Sequence, residues 1–307
     1  MSDFAELIEW CGANNTTHLV VIADGETLVD RSWGMASDEA HDVGSIQKLC
    51  TGVVLAQLLT SGDIRLDQPM TDLLGAGWSQ ASAEHERAVT VSHLATMTAG
   101  LDDDFRPIHA PGEGWYYCNN GYHLLRRTLE GVDGRPTDAM FRARIFEPCD
   151  MATSSFALRD PDDPASLPGL ISTGRDMARF GRALLDAQPF GIDDALLSEL
   201  RQGTGPNPSY GHLVWRYGGR TATVPGRRSG EAPIPGRVFG GIDLDRPIAA
   251  AIPPDGFGGT GFGEQRLTVV PSLGLVLVRL GRFADPPIGA YDRELWAHLP
   301  PELRSER

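Results

Sequence analysis

The spacing of apolar and polar positions changes character several times along the chain. Residues 4–11 carry the spacing of a short helix. "HLVVIADGETLVDRSWG" (18–34) then alternates on either side of Asp24-Gly25, a strong short-range turn signal, and predicts two antiparallel strands. No charged residue lies between Leu49 and Gly62, so Ser45 to Leu59 reads as a buried helix stopped by Gly62. "GDIRLDQPMTDLL" is a turn with a short helix, and residues 89–150 are mainly helical with polar loops. "DPDDPASLPG" (160–169) breaks the pattern. In "STGRDMARFGRALLDA" (172–187) a Ser/Thr start precedes Met177, Phe180 and Leu184 at helical spacing. Residues 203–260 are rich in Gly, Pro and Arg, with short strand-like pieces. "RLTVVPSLGLVLVRLG" (266–281) is a second hairpin, and "RELWAHL" (293–299) closes as a helix.

Strands, helices, strands and a final helix, in that order, predict an α+β fold. An antiparallel sheet is assembled from both chain ends and flanked by helices. The expected division is a discontinuous sheet subdomain, 1–68 with 166–307, and a helical insert, 69–165. No internal repeat or low-complexity tail interrupts this plan.

Composition narrows the partners. The 307 residues suffice for a sizeable core, with 41% hydrophobic and 22% charged positions. A net charge of −14 argues against nucleic acid or an anionic membrane as partner. No apolar run reaches transmembrane length. The opening "MSDFAELIEWCGANN" is acidic where a secretory signal is basic, so a cytoplasmic location is expected. Cys11, Cys50, Cys118 and Cys149 are widely spaced without a C-x-x-C, and are expected to be free thiols rather than a disulfide scaffold or zinc site.

Candidate chemistry begins with a compositional oddity. Lys48 is the only lysine; every other basic residue among the 27 Lys+Arg is an arginine. Ser45 lies three residues earlier, on the same face of a helix, so hydroxyl and amine can touch. With a single lysine, a serine falls at that spacing by chance in roughly 7% of cases. Serine is a weak nucleophile and needs a base. An amine at the start of an apolar helix is desolvated, and the helix dipole disfavours its charge; both lower its pKa. Arginine cannot lose its proton and so cannot serve.

Two further segments carry weaker signals. "PGEGWYYCNNGYHLL" places Tyr117 and Asn119 in a Tyr-x-Asn loop that can aim a phenol and an amide into one site, although "CNNG" is also plain turn chemistry. "GGTGFGEQRLTVV" (258–270) overlaps Gly256-x-Gly258-x-x-Gly261, formally a dinucleotide fingerprint. That fingerprint opens a helix, and here a strand-like run follows, so a Gly-rich strand approached by a substrate is the better reading. Such a strand can offer a main-chain N–H to an oxyanion. No G-x-S-x-G, H-E-x-x-H or P-loop is present, and the eight histidines form no spaced cluster.

Together with "VTVSHLATMTAGL" (89–101), "GLISTGRDMARFGRALL" (169–185) and "GEQRLTVVPSLGLVLVRLG" (263–281), these segments resemble the serine β-lactamase and penicillin-binding-protein superfamily. The likeness is to its class C branch, with the family VIII esterases and 6-aminohexanoate-dimer (nylon oligomer) hydrolases. It implies the β-lactamase/transpeptidase-like fold. It implies Ser45 as nucleophile, Lys48 as its base, Tyr117 as proton relay, and Asn119 holding substrate or lysine. The backbone N–H groups of Ser45 and Phe262 would form the oxyanion hole. The third family motif, usually Lys-Thr-Gly or His-x-Gly, falls on Gly259-Thr260-Gly261 and lacks its cation. That departure lowers the expectation of a β-lactamase or D,D-peptidase and fits an esterase or amidase. Arg266, Arg227 or Arg228 would have to stand in for the cation; a solvated loop is the simpler expectation for all three.

The expected activity is hydrolysis of a small-molecule ester or amide through an acyl-enzyme, with no metal and no cofactor. The alternatives are a β-lactamase, D,D-peptidase or acyltransferase on the same fold, and a non-catalytic ligand-binding or sensor protein. Substrate identity and oligomeric state are not readable from the chain.

Overall fold

The computed structural model describes residues 4–159, 162, 167–186, 188–225, 242–282 and 290–304. In chain order, helix α1 (Ala5–Ala13) leads into strands β1 (Thr16–Ala23) and β2 (Glu26–Ser32), then the short β3 (His41–Asp42). A 3-10 turn (Gly44–Ile46) precedes α2 (Gln47–Ser61). Short helices α3 (Met70–Leu74), α4 (Ala83–Ala88) and α5 (Val91–Ala95) follow, then α6 (Asn119–Asp133) and α7 (Thr137–Phe141). Strands β4 (Ser155–Leu158) and β5 (Pro168–Ser172) lead to α8 (Gly174–Asp186) and α9 (Asp194–Leu200). The chain continues through β6 (Trp215–Arg216), β7 (Ala222–Val224), β8 (Ile242–Leu244), β9 (Phe257–Gly261), β10 (Gln265–Val270) and β11 (Leu275–Gly281), then α10 (Ala290–Ala297).

The main sheet has the order β2-β1-β11-β10-β9-β6 and is antiparallel throughout. Both predicted hairpins are in it, one from each end of the chain, and β1 pairs with β11 along its whole length. Every residue of β1, β10 and β11 is buried, because helices cover both faces. Neighbouring positions on β10 mark the two layers. Leu267 points at α8, where Gly181 lets the helix approach the sheet closely. Arg266 points at α10, where its Nε donates to Asp292 at 2.6 Å. Edge strand β2 is mostly exposed, with charged side chains that blunt it.

The structure adds elements that the pattern does not announce. β3, β5 and β4 form a separate three-stranded sheet, and Ser45 lies in the 3-10 turn ahead of α2 rather than in the helix itself. The 96–118 segment, inside the stretch read as mainly helical, contains no helix. The 160–169 break falls largely outside the described residues. No described helix is long and apolar enough to cross a membrane.

Helix α2 is buried around nearly its whole circumference from Gln47 to Ala56. A helix apolar on all sides belongs at the centre of a domain, and α2 touches α6, α9 and β9. At the far edge of the core, Arg279 is fully buried. Its guanidinium donates to the carbonyls of Gly263 (2.9 Å), Glu264 (3.0 Å) and Asn14 (2.7 Å). The β9–β10 turn is thereby clamped to the N-terminal segment. Gln265 adds to the clamp, donating to the carbonyls of Phe262 (3.2 Å) and Gly281 (2.6 Å).

Arg266 corrects an expectation. It is neither in a solvated loop nor a free cation, being buried and paired with Asp292 and Glu264. Removing one partner of a buried pair strands the other charge at a cost of about 3–5 kcal/mol. Arg266→Met is therefore expected to destabilise by about that amount, while the double variant with Asp292→Leu recovers most of the loss. Urea denaturation of the single and double variants checks this.

Candidate active site

The turn that carries Ser45 is built from a glycine and a carboxylate. Gly44 has φ +59°, a left-handed conformation, and a Cβ there would lie 2.9 Å from the backbone nitrogen of Phe262. Only glycine lets the turn and the end of β9 come together. Asp42 Oδ1 accepts the Gly44 N–H at 2.8 Å, and Asp42 Oδ2 accepts from Arg159 Nε at 2.6 Å. This brace holds Ser45, half-buried, at the head of α2.

Lys48 is 3% exposed. Its Nζ lies 3.0 Å from Ser45 Oγ and 2.9 Å from Asn119 Oδ1. It also sits 4.6 Å from the ring centres of both Tyr117 and Tyr122. Among the described residues, no carboxylate bonds to it. Burial, aided by repulsion from Arg159 and opposed by attraction to Asp103, lowers its pKa from 10.5 to about 7. The amine is thus half-neutral near pH 7 and has a lone pair to offer. The Tyr117 hydroxyl bonds Ser45, and burial pushes its pKa well above the ordinary phenol value.

Asn119 opens α6, whose N-cap is Cys118: its Sγ accepts the Gly121 N–H at 3.1 Å. The "CNNG" turn chemistry and the placing of Asn119 beside Lys48 therefore coexist in one cap. Tyr117 is enclosed by Trp115, Tyr210 and Trp215, with ring centres 5.9, 6.3 and 6.5 Å away. The Trp115 indole N–H and the Tyr210 hydroxyl are buried without hydrogen-bond partners among the described residues. The aromatic wall accounts for the low polarity around the phenol.

Gly259, Thr260 and Gly261 lie on β9, alongside the Ser45 turn. A Cβ on Gly259 would meet Ile46 Cα at 3.2 Å, and one on Gly261 would meet the Val43 carbonyl at 2.4 Å. Phe262 follows directly, its backbone nitrogen beside Gly44 and its side chain 79% exposed. The structure thus brings Ser45, Lys48, Tyr117 and Asn119 into one cluster, with 259–262 along its edge. The glycines of the formal dinucleotide fingerprint sit within or beside a strand that leads to another strand. Arg227 and Arg228 lie outside the described residues.

Several residues around Lys48 carry no recognisable motif. Tyr122 bonds Thr51 at 3.0 Å, and Arg126 donates to Gln47 (3.2 Å) and to the Pro168 carbonyl (2.9 Å). A signal for both exists in retrospect: positions 119, 122 and 126 share one face of α6. Arg159 carries no such signal, because its partner Asp42 is 117 residues away.

The Lys48 shift has consequences for stability and rate. Unfolded, the amine titrates at 10.5; folded, at about 7. Between those values the unfolded chain holds the extra proton, so stability rises with pH through that window. Below pH 7 the full burial cost is present, on the order of 4–5 kcal/mol. Lys48→Met is expected to raise the melting temperature by several degrees below pH 7, with the margin over wild type shrinking as pH approaches 10. Thermal denaturation at pH 6, 8 and 10 checks this. A reaction that uses this amine as its base should speed up with pH on a limb centred near 7, as the amine becomes neutral.

Comparison with known proteins places this geometry. The family model described as Beta-lactamase matches residues 7–299. The chain is 28% identical over 212 residues to "Penicillin-binding protein 4" of Amycolatopsis lactamdurans, covering 55% of each chain. It is 24% identical over 186 residues to "Esterase EstB" of Burkholderia gladioli, covering 47% of each. Each of these matches spans about half the length of the relative. The fold is shared with a putative 6-aminohexanoate-dimer hydrolase from Bacillus anthracis, at TM-score 0.69 and 16% identity, over 95% of this chain and 79% of the other. With nearly its whole length matched, from α1 to the end of α10, the chain belongs to the Beta-lactamase family.

Proposed function

We propose that this protein is a serine hydrolase that cleaves a small ester or amide through a covalent acyl-enzyme on Ser45. The observation that carries the reading is the Lys48 amine, buried without a carboxylate partner and 3.0 Å from the Ser45 hydroxyl. An amine in that position has no structural ion pair to make, and its lowered pKa suits a general base near neutrality. The glycine at 259, where related motifs carry a cation, supports an ester or amide over a β-lactam as substrate.

The mechanism follows from the contacts. Neutral Lys48 accepts the Ser45 proton as Oγ attacks the carbonyl carbon. The Asn119 amide oxygen accepts from the amine and keeps its lone pair turned to Ser45. The carbonyl oxygen gains negative charge and takes hydrogen bonds from the Ser45 and Phe262 backbone N–H groups. Tyr117, bonded to Ser45, passes a proton to the leaving alcohol or amine and is reprotonated through Lys48. Water then attacks the acyl-enzyme with the same groups as base, releasing the carboxylic acid and restoring Ser45–OH.

The test is a panel of p-nitrophenyl esters, small amides and nitrocefin on wild type and Ser45→Ala. Ester or amide turnover that falls by about a thousandfold or more in Ser45→Ala is expected. Fluorophosphonate should label the folded wild type at Ser45, and absent labelling would mean a binding protein that has kept the pocket. Nitrocefin turnover exceeding that of the esters would favour a β-lactamase. Lys48→Arg should fold but lose about 100- to 10,000-fold in rate, because its guanidinium holds its proton.

A further inference from the structure

A second cavity lies further along the two elements that frame the site. Leu49, Gly52 and Val53 of α2, with Leu197, Val214 and Phe257, enclose an apolar pocket of about 30 Å³. Arg201 and Phe257 also line a polar cleft of about 510 Å³, together with Arg216, Gln202 and Ser198. Phe257 begins β9, the strand that ends beside Ser45.

The arginines of this cleft differ from six others in the molecule. Arg135, Arg144, Arg159, Arg175, Arg179 and Arg266 are each paired with a carboxylate at 2.5–2.6 Å. Among the described residues Arg201 has no carboxylate in direct contact, although Asp194 and Asp255 attract it from further off: its Nε donates to the Leu197 carbonyl at 3.1 Å, and its guanidinium lies 4.5 Å over the Phe257 ring. Arg216 makes one long contact, 3.5 Å to the Pro208 carbonyl. The cleft's own carboxylate, Asp255, accepts from the Ser272 N–H (2.6 Å) and hydroxyl (3.0 Å). His212, at the pocket wall, faces Ser92 Oγ and the Leu200 carbonyl through its two ring nitrogens. Burial of Arg201 costs more than the attraction of Asp194 and Asp255 returns. An anion between Arg201 and Arg216 would offset that cost.

We infer that this cavity binds a monocarboxylate with a short apolar chain, its carboxylate between Arg201 and Arg216 and its chain in the pocket beside Val53. A guanidinium matches a carboxylate in shape and charge. One water needs roughly 10–15 Å³ of such volume, so the pocket admits a chain of only a few carbons. The binding site stands on this geometry alone. Its meaning rests on the hydrolase reading, in which the released product is itself a carboxylic acid. A product bound here touches α2 and β9, which carry Lys48 and the Gly259–Gly261 run, and so can feed back on turnover.

The test is calorimetric titration of sodium butyrate at constant ionic strength into wild type, Ser45→Ala, Arg201→Gln and Arg216→Gln, with sodium sulfate as control anion. Millimolar binding that is kept in Ser45→Ala and weakened at least fivefold in both arginine variants is expected. Without butyrate, the arginine variants should turn over p-nitrophenyl acetate within twofold of wild type. Butyrate should inhibit wild type without raising KM in proportion. Arg216→Gln, on a partly exposed side chain, decides the matter if Arg201→Gln fails to fold. Absent binding, equal binding in the arginine variants, or sulfate binding as tightly as butyrate would each overturn the site. Purely competitive inhibition would overturn the feedback role. Missing fluorophosphonate labelling would count against the hydrolase reading and leave the binding result standing.

Discussion

The structure is organised around an amine that has been taken out of water without an opposite charge to meet it. Lys48 has two neutral hydrogen-bond partners, Ser45 and Asn119, and two aromatic rings. In a low-dielectric interior an ammonium there is expensive, and the neutral amine is the cheaper state. A carboxylate partner would make the group more comfortable and hold it charged. Its absence is therefore the feature that keeps the proton exchangeable. Arg159 works in the same direction, adding a positive charge nearby while bracing the Ser45 turn through Asp42.

The backbone has to meet a second demand, which is that a strand end lie against the Ser45 turn with no side chain between. Gly44, Gly259 and Gly261 meet it from both sides of the contact. Close approach alone would leave the Phe262 N–H free to wander. The buried Arg279 and Gln265 fix the following turn by its carbonyls and tie it to Asn14 and Gly281. The site is therefore completed only when the two chain ends have paired. β1 against β11 is the framework on which residues more than two hundred positions apart meet.

What can be read from the sequence divides along the same line between local and distant causes. The two hairpins, the buried α2 and the Ser45–Lys48 spacing are local patterns, each written in a run of fewer than twenty residues. The three-stranded β3-β5-β4 sheet is not, because a strand of two residues has no period to detect. Arg266 is the instructive failure. Its Gly-rich neighbourhood reads as a solvated loop, yet alternation along β10 turns it inward onto α10, where Asp292 waits 26 positions later. Glu264, two positions before, lies within a local window, but Asp292 is brought to Arg266 by the fold alone.

The division of labour between the two basic residue types follows from the same physics. Arg266 and Arg279 are as buried as Lys48, but each is surrounded by acceptors: carboxylates for the first, carbonyls for the second. Those positions need a charge that persists, and guanidinium supplies one with several donors in a fixed plane. On the proposed mechanism the position beside Ser45 needs the opposite, a base whose proton can leave when the surroundings turn apolar. A chain that uses arginine at every other basic position can have its one lysine only where arginine's permanence is a defect. The lone lysine and the unpaired amine are one constraint, seen first in composition and then in space.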